Sequence, residues 1–154
     1  MSRPIAAPST SSFIVAHRPF PVQAGKGEGR LACNQVLYHL QQRSIEHAVL
    51  PWCEMLGVAV TGYSPFGHGR FSASRTESGR VLAKIAETRD ATPRQVALAF
   101  LTRRQSLFTI PKASTPAHAE ENAGAGDLNL PESEIALIDA AFPRGPGPAS
   151  LPVL

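Results

Sequence analysis

The sequence predicts an α/β fold built on a short parallel sheet covered by helices. Three observations carry this. The runs Leu31–Tyr38, Val58–Tyr63 and "LFTIPK", Leu107–Lys112, are short and largely apolar, as strands buried on both faces are. Segments with helical spacing or helix-start signals separate them. The order is then strand, helix, strand, two helices, strand, two helices, which is the alternation of a parallel sheet.

The elements follow in order. Residues 1–29 hold four prolines, four serines, one threonine and three glycines without a lasting period, so this segment is expected to be irregular. The first strand follows from residue 30. Ser44 can cap the next segment, where Ile45, Val49, Trp52, Met55 and Leu56 recur at three- and four-residue spacing and mark one helical face. Pro51 interrupts that run by removing a backbone donor, so a short turn and then a helix from near Pro51 are expected, with Gly57 as its stop. The second strand leads into the Pro/Gly loop "SPFGHGRF". Gly79–Arg89 reads as helical with Val81, Leu82, Ile85 and Ala86 inward. Thr92-Pro93-Arg94-Gln95 is a capping box with Pro at the first helical position, opening a helix to about Arg104. After the third strand, Thr115-Pro116 starts a helix to about Ala123. Pro131 starts another, with Ile135, Leu137, Ile138 and Phe142 on its apolar side. The tail from Pro143 is expected to be irregular.

Composition bounds the function classes. The chain has 154 residues, enough for one domain with a core, and 43% apolar against 18% charged residues, so it is not disordered overall. A net charge of +3 without a basic stripe gives no reason to expect nucleic acid, and Arg103-Arg104 reads as a solvated helix end. No apolar run reaches the roughly 20 residues of a membrane span. The longest early one, Phe13–Ala16, is too short for a secretory signal, so the cytoplasm is expected. Cys33 and Cys53, both in apolar surroundings, read as reduced thiols. With His39 and His47 they do not have the spacing of a zinc site. "GKGEG", Gly25–Gly29, precedes a strand rather than a helix and reads as a linker, and "GYSPFG" is not a nucleophile elbow.

In parallel α/β folds ligands gather at the carboxyl ends of the strands. Three polar features fall there: Asn34-Gln35 within the first strand, Tyr63-Ser64 closing the second, and Lys112 closing the third. The helix after Lys112 offers unpaired N–H groups and a positive dipole end, so a phosphate would meet those donors, the Ser114 or Thr115 hydroxyl and the Lys ammonium, with His118 one turn on. The plainer reading, favoured for the Lys taken alone, is a bond to a nearby carboxylate with Thr115 as an ordinary cap. Tyr63 can stack on a planar ring or pack in the core with its hydroxyl wet. Gln35 can hold a ligand amide or a neighbouring backbone group.

Together "NQVLYH", "GVAVTGYSPFGHG", "TPRQVALAFL" and "TIPKAS…HAEEN" resemble the C-terminal half of the aldo/keto reductases, over about residues 30–142. The resemblance implies part of a (β/α)₈ barrel, about three parallel strands with flanking helices, from a family that reduces carbonyl compounds with NADPH and no metal. It implies Gln35 at the nicotinamide carboxamide and Tyr63 stacked on the nicotinamide ring. Ser64, Phe66, Gly67 and the loop to Gly69 would run along the pyrophosphate. Lys112 and Ser114 would hold the ribose 2′-phosphate, with Glu121 and Asn122 at the adenine end. Two positions depart from the family pattern. Ala113 stands where Ser is frequent, and His118 where Arg is frequent, and an imidazole neither forks onto phosphate nor keeps its charge at neutral pH.

The family's proton-donating Tyr and its Asp, Lys and His partners belong to the first half of the barrel. No residue of this chain matches them, so no catalytic residue is expected and the chain is expected to be inactive alone. A small carbonyl substrate would bind only if the missing half were supplied. A partial barrel also exposes strand edges and its inner face, so pairing with a half-barrel partner or a second copy is expected. A gene fragment, a wrongly started reading frame and one half of a split protein all fit this pattern.

Overall fold

The computed structural model describes residues 32–69, 71 and 75–147. The irregular segment expected over 1–29 lies outside those residues, as does the end of the tail. Three strands, β1 (Cys33–Leu37), β2 (Ala59–Tyr63) and β3 (Leu107–Ile110), form one parallel sheet in the order β1-β2-β3. Around it lie α1 (Val49–Met55), α2 (Glu77–Thr88), α3 (Pro93–Leu101), α4 (Pro116–Gly124) and α5 (Glu132–Ala141), with 3₁₀ turns at Ser44–His47 and Ala125–Asp127. The α/β alternation expected from the sequence is therefore present.

Register decides which residues share a face. Gln35 pairs with Thr61 and Leu37 with Tyr63, while Thr61 pairs with Phe108 and Tyr63 with Ile110. Successive residues of a strand point to opposite faces. One face therefore carries Val36, Val60 and Leu107, all buried against the helices with Leu82, Val96, Phe100, Leu101 and Ile138. Full burial of such a side chain is worth about 1.5–3 kcal/mol, so this layer supplies most of the core. Tyr38 is wholly buried beside it, and Gly62 leaves room for its ring: a Cβ there would lie 3.1 Å from Tyr38 Cβ. The other face carries Gln35, Thr61, Tyr63, Phe108 and Ile110. Phe108 is 53% and Ile110 50% exposed. Among the described residues the β3 side of this face is uncovered, as expected of a partial barrel, whereas Leu37 of β1 on the same face is buried.

Several start signals hold. Thr92 Oγ1 accepts from Gln95 N at 3.2 Å and Gln95 Oε1 accepts from Thr92 N at 2.9 Å, a complete capping box with Pro93 inside it. Thr115 caps α4, accepting from His118 N at 3.2 Å. Gly57 adopts φ +66° after α1, the left-handed stop that glycine permits.

Others need correction. Ser44 caps nothing through its side chain, and α1 begins at Val49, so Pro51 lies in the first turn, where its missing N–H costs no helical bond. Ala48, with φ −142° and ψ −50°, breaks the phase between the 3₁₀ turn and α1. The face continued from Ile45 therefore slips: Leu50 and Cys53 turn inward, while Met55 and Leu56 are 64% and 51% exposed. Helix α2 begins two residues earlier than expected, because Thr76 accepts from Gly79 N at 3.0 Å. Helix α3 ends at Leu101, short of Arg104. Leu137 is exposed, and α5 packs through Ile135, Ile138 and Phe142. Cys33 is exposed rather than enclosed by apolar neighbours.

Arg103-Arg104 is not a solvated helix end. Arg103 donates to Glu46 Oε2 at 3.2 Å and to the Tyr38 hydroxyl at 3.2 Å, and Arg104 pairs with Glu54. Arg43 donates to both oxygens of Glu46, at 2.9 and 2.8 Å, and to the Phe142 carbonyl. The guanidiniums of Arg43 and Arg103 both lie over the Phe100 ring. Burial alone would raise the Glu46 carboxyl, but the Arg43 hydrogen bonds, the Tyr38 hydroxyl and the Arg103 charge outweigh it and hold Glu46 down to about 2.

Candidate functional site

The carboxyl edge of the sheet gathers the residues that the sequence singled out. Tyr63 ends β2 between Leu37 and Ile110, half-buried, and Gln35 sits one pair further back on the same face. Lys112 follows Ile110 by two residues, is exposed, and has no carboxylate within ion-pairing distance among the described residues. Of the plainer reading, the ordinary Thr115 cap is present, and the bond from Lys112 to an acid is not found among the described residues. Tyr63 and Lys112 thus mark the ends of β2 and β3, and Gln35 lies mid-strand in the adjacent β1.

The loop after β2 has an unusual backbone. Ser64, Gly67, His68 and Gly69 all have positive φ, at 55°, 62°, 53° and 80°. For Ser64 and His68 that conformation is strained and must be held by its surroundings. The Ser64 hydroxyl lies 3.0 Å from His68 Nε2, and Gly67 N donates to the Ser64 carbonyl at 2.8 Å. Gly67 packs over His39, where a Cβ would lie 3.4 Å from the ring Nδ1, while a Cβ at Gly69 would meet nothing within 4 Å. Burial, and then the charge of His68, lowers the His39 imidazole below its ordinary range. Phe66 meets Phe71 edge to face at 5.6 Å, and the Arg94 guanidinium lies 4.7 Å from the Phe66 centroid.

On the other side of the edge, Ser114 Oγ lies 3.4 Å from His118 Nδ1, and both residues are exposed at the start of α4. Glu121 points elsewhere: its Oε1 accepts from Thr92 Oγ1 at 2.8 Å, tying α4 to the capping box of α3. Asn122 is half-buried in the same turn. Sequence reasoning missed His39, Phe71 and Arg94. The available signal was Arg94 itself, a cation at the positive end of a helix with no acid in its first turn.

The site gathers cations and hydroxyls suited to an anion. The chain has two tyrosines. Tyr38 is wholly buried and its hydroxyl donates to Glu46 Oε1 at 2.5 Å, which removes it from any substrate. Among the described residues no group of three His, Cys, Asp or Glu could hold a metal, and no helix is long and apolar enough to cross a membrane.

Comparison with known proteins decides what this arrangement belongs to. The sequence pattern of the aldo/keto reductase family matches residues 22–142. The chain belongs to the aldo/keto reductase family. It is 36% identical over 125 residues to methylglyoxal reductase YeaE of Escherichia coli, covering 81% of this chain and 44% of that protein. It is 33% identical over 116 residues to the aldo/keto reductase slr0942 of Synechocystis, covering 70% of this chain and 34% of that protein. A crystal structure of an aldo/keto reductase from Klebsiella pneumoniae in complex with NADP and acetate superposes with a TM-score of 0.72 at 34% identity, over 80% of this chain and 44% of that one. A second Klebsiella pneumoniae aldo-keto reductase structure, in complex with NADPH, gives 0.70 at 34% identity, over 80% and 43%. The chain thus spans less than half the length of these aldo/keto reductases, and its three-stranded sheet is part of their barrel fold.

Proposed function

We propose that this chain forms the dinucleotide-binding side of an NADPH-dependent carbonyl oxidoreductase. The observation that carries this reading is the placement of Tyr63 and Lys112 at the carboxyl edge of the sheet, with Gln35 one pair further back on the same face and Lys112 without an acidic partner among the described residues. The donor set suits the group. Gln35 would meet the carboxamide, and Tyr63 would back the nicotinamide ring. Ser64, Phe66, Gly67 and Gly69 would follow the pyrophosphate. Lys112, Ser114 and His118 would take the 2′-phosphate at the start of α4, where the helix dipole favours an anion. Asn122 would face the adenine, and Glu121 would do so only by giving up its Thr92 partner. When bound, the reduced nicotinamide supplies hydride. The residues described here bind and orient it. Proton delivery to the carbonyl would come from residues outside this set, so the chain alone would not reduce a carbonyl. Titration of NADPH against the purified chain, followed by nucleotide fluorescence, tests the reading. Saturable binding that weakens for both NADPH and NADH in Tyr63→Ala supports it, and absence of binding sinks it.

A second reading is favoured by the exposure of Phe108 and Ile110 on the face opposite the helices. The chain would then act as a half-barrel that closes on a complementary βα half or a second copy, burying that face and pairing the outer edges of β1 and β3.

A further inference from the structure

Resting on the dinucleotide reading proposed above, we infer that Arg94 is a positioning residue that holds the Ser64–Gly69 loop in its anion-binding shape by stacking on Phe66 and Phe71. Arg94 stands in the first turn of α3, where the helix dipole disfavours a cation. No carboxylate pairs with it among the described residues. Its guanidinium instead lies 4.7 Å from the Phe66 ring centroid and 5.6 Å from that of Phe71. These rings flank the left-handed residues Gly67, His68 and Gly69, and they meet edge to face at 5.6 Å. A loop with that backbone does not keep its shape on local preference alone. Arg94 ties Phe66 within it and Phe71 beyond it to helix α3.

That helix is itself fixed to the far side of the site. The Thr92 hydroxyl donates to Glu121 of α4, and Gln95 closes the capping box while its side-chain nitrogen abuts Gly124, where a Cβ would lie at 2.6 Å. The first turn of α3 is thus a strut between α4, next to Lys112, and the loop beside Tyr63. Through it Arg94 sets the distance between the two phosphate-binding ends without touching the nucleotide.

The test is a double-mutant cycle on the full chain, with NADPH and NADH binding followed by stopped-flow fluorescence. Arg94→Met should weaken both nucleotides by a similar factor, about fivefold, mainly through faster dissociation. Arg94→Lys, which keeps the charge but not the planar stack, should recover part of that loss. Phe66→Leu should also weaken binding, and the double variant should lose little more than either single one. Affinity per folded molecule, scaled by circular dichroism, that is unchanged in Arg94→Met overturns the inference and leaves the binding reading intact. Independent multiplication of the two losses does the same. An unsubstituted chain that binds neither nucleotide overturns the binding reading and this inference with it.

Discussion

Tyr63 and Ile110 face each other across the β2–β3 ladder, and Tyr63 is half-buried where Ile110 is 50% exposed. This pair marks the carboxyl edge of the sheet and its uncovered face at once. The proposed nucleotide seat and the proposed barrel-closing surface therefore meet at one place.

The exposed side of that pair gives the first prediction. Phe108→Ser with Ile110→Ser should reduce self-association measured by light scattering at rising concentration. Melting of the chain should change little, because substitutions at exposed positions cost within about 0.5 kcal/mol. An unsubstituted chain that stays monomeric throughout contradicts closure by a second copy.

The Glu46 cluster gives a pH dependence. Its folded value, about 2, lies below the ordinary 4.5. The stabilisation is therefore fully present above about pH 4.5 and is lost as pH falls towards 2, because the unfolded chain takes up the proton first. A shift of this size corresponds to on the order of 3 kcal/mol. Glu46→Gln should flatten that acid limb. It should also destabilise the chain at pH 7 by up to about 3 kcal/mol, since buried Arg43 and its neighbour Arg103 lose Glu46 and Asp139 alone remains to pair with Arg43. Chemical denaturation between pH 3 and 7 checks both effects, and a steep acid limb retained in the variant contradicts them.

His118 gives a gain of function. His118→Arg would present a forked, permanently charged donor beside Ser114, and should tighten NADPH several-fold with little effect on NADH. Equilibrium titration at pH 7.5 reads this directly. No change for NADPH means that the first turn of α4 does not face the 2′-phosphate.

Much of this was legible from local signals. The Thr92–Gln95 box, the Thr115-Pro116 start and the Gly57 stop involve residues three or four apart, and each occurs as read. The three strands were legible because their helix-facing residues are apolar, whereas the burial expected on both faces fails at Phe108 and Ile110. What was illegible depends on distant partners. Arg103 meets Glu46 57 residues away, and Arg43 meets Asp139 96 residues away. No periodicity announces either. Met55 and Leu56 were misassigned because one residue, Ala48, shifts the helical phase, and spacing rules assume an unbroken helix. In the site, the Thr92–Glu121 bond and the Arg94 stack were hidden for the same reason.

The most direct measurement compares NADPH and NADH binding to the chain and to Lys112→Ala by calorimetry at low salt. Loss of a charge-assisted phosphate contact at an exposed lysine should weaken NADPH about tenfold and NADH less than twofold. Equal weakening of both nucleotides, or no binding by the unsubstituted chain, would contradict a 2′-phosphate seat at the end of β3.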